Sequence, residues 1–498
     1  MAYQICTVQS ATIRGVVAFP VTVEVVISSG IPSFSIVGMP DAAIQESRER
    51  VKAALRSCGF QMPNDKIVVN LAPSSLRKTG SGFDLPIALA ILVATSQIDA
   101  SFVKNTLVIG ELSLEGGISS VAGILAYQFC ARKQHLCLLT GAFSGDVVAM
   151  EGVSTYIAER LSAFRYAHSL IIVTDQVKDQ SSFNSSFDDV YGHEGAKRAL
   201  QVAAVGEHGI IMVGPPGSGK TMLARCFASI LQPLSKHRRL EAALIHSVVG
   251  NDVSEILAGK RPFRMPHHSA SSAGLIGGGT PVRPGEISLA HNGVLMLDEF
   301  PEFKPSVLQQ LRQPLEDGFV RIIRVDGTYE MPARFILVAA MNPCPCGYYG
   351  DPNHKCGCSP HQIQAYHNRI GGPLLDRIDI QIDVHRVSQS DLFSRASGKT
   401  SQEIAEEVFS AQYFASERGR TPGAHASKLG DALSQCNLDS KAAQFLESYS
   451  QTHQLSARSV IKVLSITRTV ADLSHEDDSR IEHLSEALML RFRGGEQL

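Results

Sequence analysis

No apolar run in this chain is long enough to cross a bilayer. The longest, LPIALAILVAT from Leu85, falls well short of the roughly 20 residues that a membrane helix needs. The opening residues MAYQICTVQSATIRG show no basic start, apolar stretch and small-residue cleavage site, so no secretory leader is read there; the cytoplasm is the expected compartment. An excess of one charge is also missing. Lys and Arg total 46 against 48 Asp and Glu, a formal net charge of -2, which excludes a globally basic nucleic-acid binder and leaves that task to local patches. There is no short internal repeat and no low-complexity tract. With 44% hydrophobic and 19% charged residues the composition is that of a folded globular protein, and 498 residues exceed what one core can hold, so two or three domains are expected.

Residues 1–170 alternate β-branched runs (TVEVVISS, SFSIVG, KIVVNLAP, LVIGELSL) with helical stretches, an α/β pattern. In DAAIQESRERVKAALRSCG the residues Ile44, Val51, Leu55 and Cys58 fall on one helical face between Asp41 and Gly59. The polar, Ser-rich DQVKDQSSFNSSFDD marks a linker, placed at 171–189. A second α/β unit is expected over 190–384 and a small, helix-rich lid over 385–498.

The strongest chemical signal is IIMVGPPGSGKTMLARCFASIL. An apolar strand, Ile210 to Val213, enters Gly214, Pro215, Pro216, Gly217, Ser218, Gly219, Lys220 and Thr221, and an amphipathic helix follows. Such a loop turns backbone N–H groups onto phosphate oxygens at a helix N-terminus. Lys220 is expected on the β- and γ-phosphates of ATP and the Thr221 hydroxyl on Mg2+. Later, GVLMLDEF reads as a buried parallel strand ending in Asp298, for magnesium through water, and Glu299, to polarise the attacking water; a solvated acidic strand end is the plainer alternative. A third apolar run, FILVAAMN, delivers Asn342, whose amide is expected on the water or the γ-phosphate.

The order of these motifs resembles AAA+ ATPases, in particular the branch containing magnesium chelatase subunits and MCM helicases. PLLDRIDIQIDV resembles the arginine-finger segment of that branch, which implies Arg377 as a finger acting on the neighbouring subunit's γ-phosphate, with Arg369 as the rival. LSARSVIKVL resembles the sensor-2 helix, implying that Arg458 reaches the phosphates of its own subunit. For each arginine a surface salt bridge is the alternative. GMPDAAIQESRERVKAAL, VNLAPSSLRKTGSGFDLPIAL, RPFRMPHHSAS, RPGEISLAHNGVLMLDE and NPCPCGYYGD extend the resemblance over nearly the whole chain, to the ComM/YifB family of magnesium-chelatase-like proteins. That resemblance implies an ATP-driven homo-hexameric helicase that migrates DNA branches during integration of transforming DNA, with single-stranded and branched DNA, and recombination proteins, as partners. A chelatase-type motor and a protein-remodelling ATPase remain open alternatives. The N-terminal domain resembles the proteolytic domain of Lon, but Asp84 falls where the nucleophile is expected and Leu125 where the lysine base is, so a noncatalytic platform is expected.

EDGFVRIIRVDGTYEMPARF resembles the pre-sensor-1 pore hairpin of the MCM and chelatase branch, with Asp326-Gly327 as its turn. Arg321 and Arg324 are its candidate DNA contacts, three apart and so on opposite strand faces. A second candidate is the helix-2 insertion with Lys260, Arg261 and Arg264 and a flexible Gly277 to Gly279, where sixfold repetition would make a basic collar; solvated loops with subunit-contact arginines are the alternative.

The last motif is NPCPCGYYGDPNHKCGCSP. Cys344, Cys346, Cys356 and Cys358 have the number and mirrored spacing for a closed structural zinc site, although one intervening residue per pair is tighter than usual. His354 could replace one sulfur, Cys344 could be packing, and free thiols or a redox pair are the alternatives. The other six cysteines sit among apolar neighbours as inert thiols.

Overall fold

The computed structural model describes residues 4–143, 149–165, 170–174, 186–325, 327–387, 398–424 and 426–491. Its N-terminal part is built on an eight-stranded sheet whose centre is a long hairpin, Gln4–Arg14 paired with Val17–Ser28 from Gln4↔Ile27 to Arg14↔Val17. Val21, Val23, Val25 and Ile27 alternate inward along its second strand, as a half-buried strand requires. Helix Ala42–Ser57, capped by Asp41 at the Ile44 N–H (3.0 Å), buries Ile44, Val51 and Leu55 in this core. Helix Asp84–Ala94 is buried from Asp84 to Leu92 and so lies between layers rather than on the surface.

The expected linker is shorter than its composition suggested. Ile171–Ile172 still pairs with Thr155–Ile157 as an edge strand, and Phe187, 1% exposed, is already part of the next core. Residues 175–185 lie outside the described residues.

The second unit is a five-stranded, all-parallel sheet in the order Phe263–Arg264, Val294–Leu297, Ile336–Met341, Ile210–Val213, Ile380–Asp383. Three of its strands, Val294–Leu297, Ile336–Met341 and Ile210–Val213, are buried throughout, which explains their unbroken apolar sequences. Among the described residues, five helices follow between Ser401 and Arg491. They have a small core of their own, but Ile404, Val408, Ala411, Ile466 and Val470 join the core of the parallel sheet, so the lid is fused to it.

The two α/β parts also pack together. Val16, in the turn of the N-terminal hairpin, is buried with Ile245, Leu289, Tyr329 and Met331, and the Arg14 guanidinium lies 5.1 Å over the Tyr329 ring. Leu125 is buried with Leu234 and Ala242, and the Gly123 N–H donates to Ser247 O at 2.7 Å.

Tyr329 and Met331 belong to the pore-hairpin candidate, Phe319–Arg324 paired with Gly327–Pro332. Arg324 is the partner of Gly327, so the pairing starts one residue earlier than an Asp-Gly centred turn predicts; Asp326 lies outside the described residues. The Gly277 to Gly279 stretch is likewise less free than expected, since Gly277 and Gly278 pair with Pro284 and Arg283.

Candidate nucleotide site

Three parallel strands end side by side, and their carboxyl ends carry the site. The loop after Val213 leads into helix Lys220–Phe227, with Gly219 at φ +84°, a left-handed conformation that a side chain would strain. The Lys220 ammonium donates to the carbonyls of Gly214 (2.8 Å) and Pro215 (2.9 Å) and lies 3.4 Å from Asn342 Oδ1. Burial pulls its pKa down, opposed by Asp298. Thr221 donates to Asp298 Oδ2 at 2.6 Å, the pairing that sets both oxygens around one cation position. Lys220, Thr221, Asp298 and Asn342 are therefore one cluster.

Glu299 stands beside it at φ +50° with its side chain 59% exposed, and His268 Nδ1 lies 3.0 Å from its Oε2. The His268 ring lies against that of His267, centroids 4.1 Å apart and planes tilted by 34°, and meets Phe303 edge-on. Sequence reasoning assigned His268 no role; the only signal was its place in RPFRMPHHSAS. Arg386 was also missed. It donates to Pro216 O at 2.9 Å from Nη2 and at 3.2 Å from Nε, bracing the phosphate loop from the irregular segment just after strand Ile380–Asp383.

The four cysteines form the back of this loop. Their Sγ atoms lie within 4.8 Å of one another, with Cys344–Cys346 at 3.3 Å, Cys344–Cys356 at 3.7 Å and Cys346–Cys356 at 3.6 Å. Four thiolates about 2.3 Å from one tetrahedral zinc would stand about 3.8 Å apart, so the donor set fits that ion. The N–H groups of Tyr348 and then Gly357 pull the Cys346 thiol down to about 6, whereas the Cys356 thiol, although the Cys358 N–H favours its thiolate, is pushed up to about 12 by burial and the neighbouring sulfurs, and Cys358 is raised as well. His354 is not a fourth donor. It stacks on Tyr348 (4.9 Å) and faces Asp351 and Arg386. A Cβ on Gly347 would come within 2.6 Å of Pro216 Cδ, so the cysteine loop sits directly on the phosphate loop.

The arginines lie elsewhere. Ile210 pairs with Ile380 and Val213 with Asp383, so residues before Ile380 leave the sheet at its amino edge, about 10 Å of strand away from the phosphate loop. Arg377 is there, 2.7 Å from Glu316, with its carbonyl oxygen accepting from Lys462 Nζ at 2.9 Å. Arg458 ion-pairs with the same Glu316. The expectation that Arg458 reaches the phosphates of its own subunit is therefore corrected: Arg458 and Lys462, one turn apart on helix Ala457–Leu473, are drawn to Glu316 and Asp379 at the opposite edge. The rival, Arg369, pairs with Glu302 at 3.2 Å.

Of the three residues of the candidate basic collar, Arg261 is withdrawn from solvent, while Lys260 and Arg264 stay partly exposed. Arg261 is buried, with its guanidinium on Glu207 (2.8 Å), Gln232 O (2.8 Å) and Asn292 O (3.3 Å). Burial alone would raise the Glu207 pKa, but Arg261 and Arg238 hold it below the usual carboxylate range. Arg264 makes a two-pronged pair with Glu286 (2.6 and 2.7 Å), and Lys260 is 2.8 Å from Glu255. On the hairpin, Arg321 faces its cross-strand partner Glu330 at 2.7 Å. Arg324 is exposed, and beside it Ile323 (75%) and Val325 (fully) stand in solvent. The hairpin end is more apolar than basic.

At the Lon-like position, buried Asp84 accepts from Arg50 Nε (2.6 Å), from Ser47 and from the Leu112 N–H (3.2 Å), while Ser81 donates to Glu111 (2.6 Å).

Comparison with known proteins matches three family models along the chain: subunit ChlI of Mg-chelatase over residues 23–139, magnesium chelatase subunit ChlI over 186–392, and its C-terminal part over 398–491. Competence protein ComM of Haemophilus influenzae is 40% identical, the match covering 97% of each chain. The uncharacterized protein YifB of Escherichia coli is 37% identical over 96% of this chain and 95% of its own. Lon protease 2 of Bacillus subtilis is 30% identical over 156 residues, 29% of this chain and 27% of its own. No helix among the described residues is long and apolar enough to cross a membrane.

Proposed function

The chain belongs to the ComM/YifB family of magnesium-chelatase-like AAA+ proteins, and from that premise we propose that it is a ring-forming, ATP-driven DNA translocase that promotes branch migration during recombination of incoming DNA. The observation that carries the ring is the separation across the sheet. Lys220, Thr221, Asp298 and Asn342 share the carboxyl edge, whereas Arg377 leaves the amino edge. A guanidinium there cannot neutralise charge on its own subunit's γ-phosphate. In a head-to-tail ring it reaches the next subunit's.

In this reading Lys220 and the loop N–H groups bind the phosphates, and Thr221 and Asp298 hold magnesium, which neutralises the phosphate oxygens when bound. Asn342 and Glu299 orient the attacking water, and Arg377 with Arg458 complete the neighbouring site. Cys344, Cys346, Cys356 and Cys358 hold a structural zinc that stiffens the loop under Pro216; with four protein sulfurs it has no open position for chemistry. The N-terminal domain is a noncatalytic brace, since Asp84 is engaged by Arg50 and Leu125 is packed against the ATPase core.

One observation favours a second reading, a protein-remodelling motor. Ile323 and Val325 give the hairpin an apolar end, and Arg321, Arg264 and Lys260 are each paired with a carboxylate. ATPase rate with and without single-stranded or forked DNA, with strand displacement on a three- or four-way junction, separates the two. Stimulation and displacement support the translocase, both lost in Lys220→Ala; neither effect in the intact protein refutes it.

A further inference from the structure

Both arginines assigned to the neighbouring nucleotide share one carboxylate. Glu316 Oε1 is 2.7 Å from Arg377 Nη2 and also pairs with Arg458. Arg377 is 14% exposed and Arg458 50%, so one carboxylate gathers an inward and an outward guanidinium into a single cationic site. Burial pushes the Glu316 carboxyl up, but Arg377 and then Arg458 hold it below its ordinary value, so it stays charged.

The place of Glu316 in the chain matters as much as its contacts. It lies in the short helix Arg312–Asp317, which ends at Gly318 (φ +73°) and passes directly into Phe319, the first residue of the hairpin. The Ala333 N–H donates to Gly318 O at 2.8 Å, closing the hairpin root just beyond Glu316. On the other side the arginine segment is anchored to the lid: Lys462 binds Arg377 O and Asp379, and Arg491 donates to the carbonyls of Asp376, Ile378 and Asp379. Glu316 is therefore the side-chain joint between hairpin root and arginine platform.

We propose that Glu316 is a positioning residue that aims Arg377 and Arg458 together at the adjoining subunit's γ-phosphate and relays movement of the hairpin to them. The proposal rests on the reading that Arg377 acts in trans. A half-solvated ion pair contributes little to folding, so a neutral replacement reads out positioning rather than stability. In the wild type, substrate in the pore shifts the hairpin, the shift turns Glu316 about Gly318, and the paired guanidiniums move as a unit. Without the carboxylate the two cations repel and the hairpin loses its hold on them.

The test uses the full chain and steady-state ATPase, with and without single-stranded DNA. Glu316→Gln is expected to lower kcat roughly tenfold, in the range of a misplaced arginine finger, with KM for ATP within about twofold and the stimulation by DNA lost. Glu316→Asp, which keeps the charge one methylene further back, is expected to fall between the two. It carries the same test if the amide variant does not assemble.

Mixing then separates cis from trans. Lys220→Ala subunits have a dead pocket but intact arginines, so in a one-to-one mixture with Glu316→Gln about a quarter of head-to-tail interfaces combine a good pocket with good arginines, and activity recovers. Arg377→Ala mixed with Lys220→Ala is the control. If that control recovers and the Glu316→Gln mixture does not, the inference is overturned while the trans finger stands. If Glu316→Gln keeps wild-type kcat and DNA stimulation, the inference is also overturned. If Arg377→Ala alone is fully active, or its mixture does not recover, the trans finger falls and the inference with it.

Discussion

Replacing Arg261 by alanine distinguishes a basic pore residue from a buried strut. Its side chain is 6% exposed and shares Glu207, itself 12% exposed, with Arg238. Removing one partner from a buried pair costs about 3–5 kcal/mol, because the remaining charge keeps its desolvation penalty. Arg238 stays on Glu207 at 2.8 Å but is 28% exposed, so the lower end, about 3 kcal/mol, is the appropriate figure. Two carbonyls, Gln232 O and Asn292 O, also lose their donor. In a unit of about 200 residues each kcal/mol moves Tm by about 2–4 °C, so Arg261→Ala should lower it by about 6–12 °C. A residue on DNA phosphate would behave differently. Its loss would leave Tm in place and flatten the salt dependence of DNA affinity by about one unit of slope. Thermal denaturation beside fluorescence anisotropy over a salt series reads both. An unchanged Tm with a flattened slope would refute the burial argument.

Three further outcomes follow from the site. His268→Ala frees Glu299 from its half-exposed pair, worth up to about 1 kcal/mol, and should raise the DNA-free ATPase by up to about fivefold; a lower rate would mean that His268 holds Glu299 in its working position. Elemental analysis should find about one zinc per chain, and Cys346→Ser should lose the metal and weaken ATP binding, read with a fluorescent nucleotide, because Gly347 rests on Pro216. His291 is buried and its Nδ1 accepts from the Arg334 N–H at 3.0 Å; burial takes its pKa down to about 4. The unfolded chain takes up that proton from about pH 6.5 downward and the folded chain does not. The contribution is therefore complete above about pH 6.5 and is lost as pH falls toward about 4, up to about 3 kcal/mol. His291→Gln should flatten the fall of denaturation midpoint across that window.

Local chemistry was legible in the sequence; distant pairing was not. Strand Ile210–Val213, the loop to Thr221, and the ends at Asp298 and Asn342 announce themselves because each needs particular residues at fixed offsets, and buried parallel strands leave unbroken apolar runs. The Asp41 cap and the face of Ile44, Val51 and Leu55 are readable for the same reason. Charge partners are different. Arg261 looks basic beside Lys260 and Arg264, yet its acid is Glu207, at the end of another helix, and Arg458 finds Glu316 across 142 positions. No local spacing encodes either pair. The Asp-Gly signal of the hairpin was displaced for a related reason: tertiary packing of Tyr329 and Met331 against Val16 fixes which residues face inward, and register follows that burial rather than the turn.

The same separation bears on why such a chain can be almost neutral overall. In the function proposed above, the pocket at the carboxyl edge of the parallel sheet and the arginines at its amino edge are one strand length apart, so that function calls for two copies in head-to-tail order. On that reading the positive charge that matters, Arg377 and Arg458, is spent between subunits and is balanced within each chain by Glu316 until a γ-phosphate competes for it. A strongly basic surface would repel the next copy across the contact the chemistry requires. A net charge of -2 over 498 residues leaves edges of one subunit free to meet edges of another, with carboxylates holding the guanidiniums in place beforehand. On the same reading near-neutrality, which only excluded a globally basic binder, suits two different, complementary edges that meet head to tail, and contact with a threaded polymer falls to the exposed hairpin end at Ile323, Arg324 and Val325.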